Sequence, residues 1–192
     1  MEKCRNHDLR AQEMLYKHFY GFAKAICLRY AHNKEDAVEI LNDSFMKVFD
    51  KIKSYEEQNS FKAWLKRIIV NTAIDAYRRE AKHSRHLEIE RAESQETDLD
   101  SVQHLQAEEL LQLLEALPSV HRITFNLYEI EGYSHREIAE MLDTTESNSR
   151  STLTRAKKKL RELYLAHYSE AIDIQERGTS EMKRHDKSIY AL

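Results

Sequence analysis

One proline (Pro118) and three glycines (Gly21, Gly132, Gly178) in 192 residues leave this chain few places to turn sharply. Hairpins and barrel corners draw on residues that tolerate positive φ or preset a turn, and a sandwich or barrel needs many of them. Helices need them only at their ends. With 41% hydrophobic and 33% charged residues, the composition supports amphipathic helices around small cores and excludes disorder throughout. No apolar run approaches the roughly 18 residues of a membrane span, so no membrane contact of its own is expected. The start, MEKCRNHDLR, lacks the apolar stretch of a signal peptide. Cys4 and Cys27 offer no disulfide framework, and the chain is expected to be cytoplasmic.

Apolar periodicity divides the chain. Leu15, Phe19, Phe22 and Ile26 lie on one helical face. Asn33 reads as the cap of a second helix carrying Val38, Leu41, Phe45 and Val48. The polar stretch 53–60 is a loop, and Ser60 is expected to cap a third helix bearing Phe61, Trp64, Leu65, Ile68, Ile69, Ala73 and Tyr77. Residues 83–104 hold six carboxylates and few aliphatics, which reads as an acidic linker with a short helix starting near Asp100 or Ser101. Helical periodicity resumes at Leu105 and breaks at Leu117-Pro118. The expectation is an all-α fold of two small helical domains, 1–82 and 105–168, joined by the flexible linker 83–104. Residues 169–192 read as a mobile tail or a partner-binding segment.

Charge alternates along this plan: +4 over 1–82, −7 over 83–118, −3 over 119–144 and +3 over 145–192. Two basic blocks around an acidic one suit either two contacts with a polyanion or ordinary solvated surface. The stretch 123–163 sharpens the choice. A helix 123–130 ends near Gly132, and Ser134 with Glu137 forms a capping box for the next. Asp143-Thr144 turns into a last helix whose apolar positions are Leu153, Ala156, Leu160 and Leu163. Its opposite face bears Arg150, Thr154, Lys157, Lys158 and Arg161. This is a helix-turn-helix with a basic second helix, the arrangement that lays side chains into a major groove.

These residues resemble a known family. Leu114-Glu-Ala-Leu-Pro118, Arg122, Gly132-Tyr-Ser-His-Arg-Glu-Ile-Ala-Glu140 and Ser151-x-x-x-Arg155-Ala156 are similar to region 4 of bacterial RNA polymerase sigma factors, in particular the extracytoplasmic function (ECF) group. Asp36-Ala37 followed by Asn42-Asp43-x-Phe45 resembles the family's polymerase-docking helix. Phe61-x-x-Trp64-Leu65-x-x-Ile68-x-x-Asn71-x-x-x-Asp75-x-x-Arg78-Arg79 resembles the segment of region 2 that opens and reads the −10 element. Departures are Ser147-Asn148, where Gly-Thr is common, and Asp143, where a turn glycine is common. They leave the promoter sequence open.

The resemblance implies a sigma factor that binds core RNA polymerase and directs it to promoter DNA. It assigns −35 contacts to Arg150, Ser151, Thr154 and Arg155, with Lys158 adding phosphate attraction. Arginine suits guanine O6 and N7, and hydroxyls suit bases or phosphates. For the −10 element it implies a flipped base near the 54–60 loop, read by Asn71, stacked on Tyr55, with Arg78 and Arg79 on the strand backbone and Lys62, Lys66 and Arg67 as further candidates. Asp75 either bonds cytosine N4 or pairs with Arg78 or Arg79. Trp64 reads as core. Docking on polymerase falls to Asp36, Glu39, Asn42, Asp43 and Ser44, with Phe45 partly core. An anti-sigma partner is also implied. The two promoter elements lie about 50–70 Å apart, beyond a relaxed linker of about 25 Å but within an extended one of about 75 Å, so the linker is expected to stretch only in the holoenzyme.

Other chemistry is not expected. Cys4-x-x-His7 and His83-x-x-His86 are half-sites without a second pair, so no metal is predicted. Without a glycine-rich phosphate loop or a nucleophile constellation, neither a cofactor nor an enzyme activity is expected. The alternative is a sigma-like decoy that binds an anti-sigma factor and never DNA; Asn71, Arg78, Arg79, Arg150 and Arg155 argue against it.

Overall fold

A computed structural model describes residues 1–87 and 107–166, and every regular element among them is helical. The short α1 (Glu2–Arg5) turns Cys4 into the core, where Arg5 donates to the Tyr55 carbonyl at 2.8 Å. Helix α2 (Leu9–Tyr30) starts where the Asp8 carboxylate accepts from the Ala11 amide at 2.9 Å. It buries Ala23, Ile26, Cys27 and Tyr30, with Leu15, Phe19 and Phe22 partly covered on the same side.

Helix α3 (Lys34–Lys51) is capped by Asn33, whose Oδ1 accepts from the Asp36 amide at 2.7 Å. Glu35 and Asp36 in its first turn meet the positive end of the helix dipole. Ser44, fully buried, satisfies its hydroxyl by donating to the Ile40 carbonyl at 2.6 Å. One 3₁₀ turn (Ile52–Ser54) leads to the loop before α4 (Phe61–Leu87), where Ser60 Oγ accepts weakly from the Ala63 amide at 3.5 Å. Helices α2, α3 and α4 pack on one another around Leu41, Phe45, Leu65 and Ile69.

Helix α4 runs past Lys82 to Leu87, into the stretch expected to be linker. Arg78, Arg79, Glu80, Ala81 and Lys82 are good helix formers, so the backbone continues after its apolar stripe has thinned. The rest of the expected linker, the short helix near Asp100 and the tail from 169 lie outside the described residues.

The C-terminal lobe begins with α5 (Ala107–Glu115), followed by buried Leu117 and then Pro118, whose fixed φ of −51° suits the entry to α6 (Ser119–Phe125). The expected helix from Ile123 therefore starts earlier, and from Asn126 to Ile130 it widens to π geometry. Gly132 ends it at φ +80°, where a side chain would be strained. The capping box on α7 (His135–Leu142) is complete: Ser134 accepts from the Glu137 amide, and Glu137 accepts from the Ser134 amide at 2.8 Å. Asp143 then turns left-handed at φ +51°, a conformation that short polar side chains tolerate. Thr145 Oγ1 accepts from the Asn148 amide at 3.1 Å and starts α8 (146–166).

The two lobes share apolar packing. Ile123, Leu127 and Ile138 of the second join the cluster built by α2, α3 and α4, with Tyr133, Met141 and Leu142 at its margin.

Candidate nucleic-acid and polymerase interfaces

Helix α8 buries Thr152, Leu153 and Ala156 against its lobe and leaves Arg150, Thr154, Arg155 and Lys158 exposed, with Ser151 half-buried. Its hydroxyls are already engaged as donors: Ser151 Oγ to the Asn148 carbonyl and Thr154 Oγ1 to the Arg150 carbonyl, each at 3.0 Å. What they keep free is acceptor capacity. Arg150 is paired with Glu146 one turn earlier. Lys157 reaches Glu129 at 2.6 Å, whereas Lys158 lies 4.0 Å from Glu162.

The angle between the two helices of the motif is held at His135. Its ring stacks on Tyr128 at 4.4 Å between centroids, and its Nδ1 lies 3.0 Å from buried Ser149 Oγ, next to Arg150. Burial first, and the Arg150 charge second, hold this imidazole below the ordinary histidine range.

On α4, Asn71 and Asp75 are exposed, and Asp75 resolves its expected choice by a third route: it pairs with Lys47 of α3 at 3.0 Å. Arg79 pairs with Asp43 at 3.5 Å. Tyr55 differs from expectation. It is only 6% exposed, its ring packs at 5.3 Å from Phe61 and 5.2 Å from Trp64, and its hydroxyl donates to the Asn59 carbonyl at 2.5 Å. That ring is spent on fixing the 54–60 loop to α4, so no base stacks on it in this conformation. Phe45, at 2% exposure, is wholly core. Ser44, also assigned to docking, is fully buried with its hydroxyl bonded to the Ile40 carbonyl, so it too is core. The other docking residues, Asp36, Glu39, Asn42 and Asp43, line α3, and Tyr16 donates to Asn42 Oδ1 at 3.4 Å.

A seam between the lobes joins residues that the sequence does not link. Glu131, its side chain 2% exposed, accepts from Arg29 Nη2 at 3.1 Å with one oxygen and meets Lys66 Nζ at 2.5 Å with the other. Asn126 Nδ2, displaced by the π turn, donates to the Arg29 carbonyl at 2.6 Å. Further along, Arg78 donates to the Glu140 carbonyl at 3.1 Å, and Ser119 contacts His32 Nε2.

Between these contacts lies a cavity of about 310 Å³, lined by Asp36, Glu39, Asp43, Arg79 and Glu80 on one side and Arg122 on the other. Arg122 is fully buried, and none of its three side-chain nitrogens has a hydrogen-bond partner among the described residues. Burial pulls its pKa down, while Glu115, Glu80 and Asp36 oppose that without touching it.

Arg29, Glu131, Asn126 and the burial of Arg122 were not marked out as functional by the sequence. Glu131 carries only a faint signal, a carboxylate before the turn glycine.

Among the described residues no helix is long and apolar enough to cross a membrane, and no group of histidine, cysteine and carboxylate side chains is arranged to hold a metal.

Comparison with known proteins agrees with this arrangement. Residues 15–83 match the Sigma-70 region 2 family, and residues 107–160 match Sigma-70, region 4. The RNA polymerase sigma factor YlaC of Bacillus subtilis is 32% identical over 155 residues, covering 78% of this chain and 89% of that protein. The ECF RNA polymerase sigma-E factor of Haemophilus influenzae is 28% identical over 170 residues, covering 82% of this chain and 89% of its own length. Among solved structures, the sigma factor RpoE in complex with the anti-sigma factor NepR from Bartonella quintana shares the fold, with a TM-score of 0.50 and 20% identity over 79% of this chain and 95% of that one. Two region-specific family matches in order, carried on the helices described above, settle the assignment: this chain belongs to the ECF group of RNA polymerase sigma factors.

Proposed function

We propose that this chain directs core RNA polymerase to promoters by reading the −35 element with α8 and opening the −10 element with α4. The observation that carries this reading is the exposed face of α8, where Arg150, Thr154, Arg155 and Lys158 project away from the buried Thr152, Leu153 and Ala156 that seat the helix in its helix-turn-helix. Arg150 and Arg155 are suited to bidentate hydrogen bonds with guanine, and Lys158 to phosphate. Ser151 and Thr154, with their hydrogens engaged within the helix, accept from adenine N6 or cytosine N4.

On α4, Asn71 reads an unstacked base with its amide, and Asp75, Arg78 and Arg79 line the strand path. Three of these are engaged internally in the closed arrangement, Asp75 with Lys47, Arg79 with Asp43 and Arg78 with the Glu140 carbonyl. The last crosses the seam, so region 4 must lift from region 2 before Arg78 meets DNA. Docking on core polymerase uses the polar face of α3 at Asp36, Glu39, Asn42 and Asp43, of which Asp36, Glu39 and Asp43 border the same seam cavity. An anti-sigma factor that stabilises the closed arrangement is the regulatory partner in this scheme; the B. quintana sigma factor RpoE, which shares the fold, was solved in complex with an anti-sigma factor, NepR.

The direct test is the Arg150→Ala/Arg155→Ala double variant. It should bind core polymerase like the wild type and lose start-site choice, because each bidentate arginine contact carries about 1–3 kcal/mol of base discrimination. Loss of polymerase binding in that variant would contradict this division of labour. An unaltered wild-type chain that binds an anti-sigma factor but neither polymerase nor DNA would move the decoy reading to the front.

A further inference from the structure

The seam places one region 4 carboxylate, Glu131, between two region 2 cations from different helices, Arg29 at the end of α2 and Lys66 on α4. Each carboxylate oxygen serves one cation. A phosphodiester offers the same arrangement, two non-bridging oxygens on one centre carrying one negative charge. Two further features point to an anion larger than a carboxylate. Arg29 Nε is buried and has no hydrogen-bond partner among the described residues, so Glu131 satisfies the guanidinium only in part there. Two cations facing one carboxylate also leave the site net positive. Farther along α4, Arg78 is engaged by the carbonyl of Glu140, which lies in the last turn of α7 near the negative end of that helix dipole. Region 4 thus offers an acceptor to each of three cations on region 2.

We propose that Arg29 and Lys66 form a phosphate clamp for the promoter strand, continuous with Arg78, and that Glu131 occupies it in the closed chain as an internal stand-in for the DNA backbone. This rests on the reading of region 2 as the part that binds the −10 strand. It adds Arg29, and it gives Glu131 a second role beyond tying the lobes together. Lys66 and Arg78 are twelve positions apart on one helix, about 18 Å along its axis and roughly 120° around it, so a strand that meets both crosses the helix obliquely over several successive phosphates. Opening the lobes withdraws the carboxylate and delivers the clamp to DNA in one movement.

The opposing account makes the triad a latch and nothing more, and the two differ in sign. Holoenzyme reconstituted from core polymerase and the full chain would be tested on promoter DNA with a pre-melted −10 segment, across a salt titration. Glu131→Gln should bind at least as tightly as wild type with an unchanged salt slope. In that already released background, adding Arg29→Ala or Lys66→Ala should lower the slope of log K against log salt by about 0.7 each, the value for one single-strand phosphate contact. That corresponds to roughly a 2.5-fold change in salt sensitivity between 50 and 200 mM, and it should be equal on promoters of different sequence. Core binding, measured in the same preparations, should not change.

Slopes and affinities identical to Glu131→Gln alone would overturn the clamp and leave a latch. A loss confined to core binding would reassign the pair to polymerase. Failure of the wild-type holoenzyme to retain promoter DNA at all would instead bring down the parent reading of region 2, and the clamp with it.

Discussion

Arg79 of α4 lies 3.5 Å from Asp43 of α3. A residue assigned to DNA and a residue assigned to polymerase therefore face each other across α3 and α4. Both side chains are largely open to solvent, at 65% and 39% exposure, and such a pair contributes about 0–1 kcal/mol. Arg79→Ala should consequently shift the urea midpoint little while reducing promoter opening. A large loss of stability would show that Arg79 is structural.

Arg122 predicts the opposite of the usual effect of deleting a buried side chain. Its guanidinium is fully buried without a hydrogen bond among the described residues. A charge buried without a partner carries a desolvation penalty of several kcal/mol, which an apolar group of similar size does not incur. Arg122→Met should raise the urea midpoint and hold the lobes together more tightly, read as a shorter interlobe distance by fluorescence transfer. A lowered midpoint would mean that the cavity supplies Arg122 with a partner.

Acid should loosen the closed chain. His32, His121 and His135 are each held below the ordinary histidine range, by burial first and then by Arg122, Arg155 and Arg150 respectively. The folded state keeps these rings neutral, while the unfolded chain begins to take protons near pH 6.5. Below that point the unfolded state binds more protons, so stability is present above it and is lost as pH falls through the depressed folded values. The urea midpoint should fall between pH 7.5 and 5.5, and His121→Asn should flatten that dependence. A midpoint that stays level or rises on acidification would contradict this assignment.

Local chemistry was legible in the sequence and distant chemistry was not. The caps at Asn33 and at Ser134 with Glu137 depend on residues three positions apart, and all formed as read. The apolar stripes of α2, α3 and α4 likewise follow from spacing alone. Tyr55 misled because an aromatic beside a polar loop suits a stacking surface, and only the packed positions of Phe61 and Trp64 reveal it as core. The Arg29–Glu131 pair spans 102 positions, and no local pattern marks either residue. Its geometry depends on the π turn at 126–130, which no spacing rule foretells.

The central claim is that this chain gives core polymerase its choice of promoter. Run-off transcription on a promoter library, with purified core polymerase and with or without this protein, tests it most directly. The account predicts discrete new transcripts whose templates share motifs at −10 and −35, and their loss with Arg150→Ala/Arg155→Ala. Tight binding to core with no transcript from any template, or no binding to core at all, would contradict it.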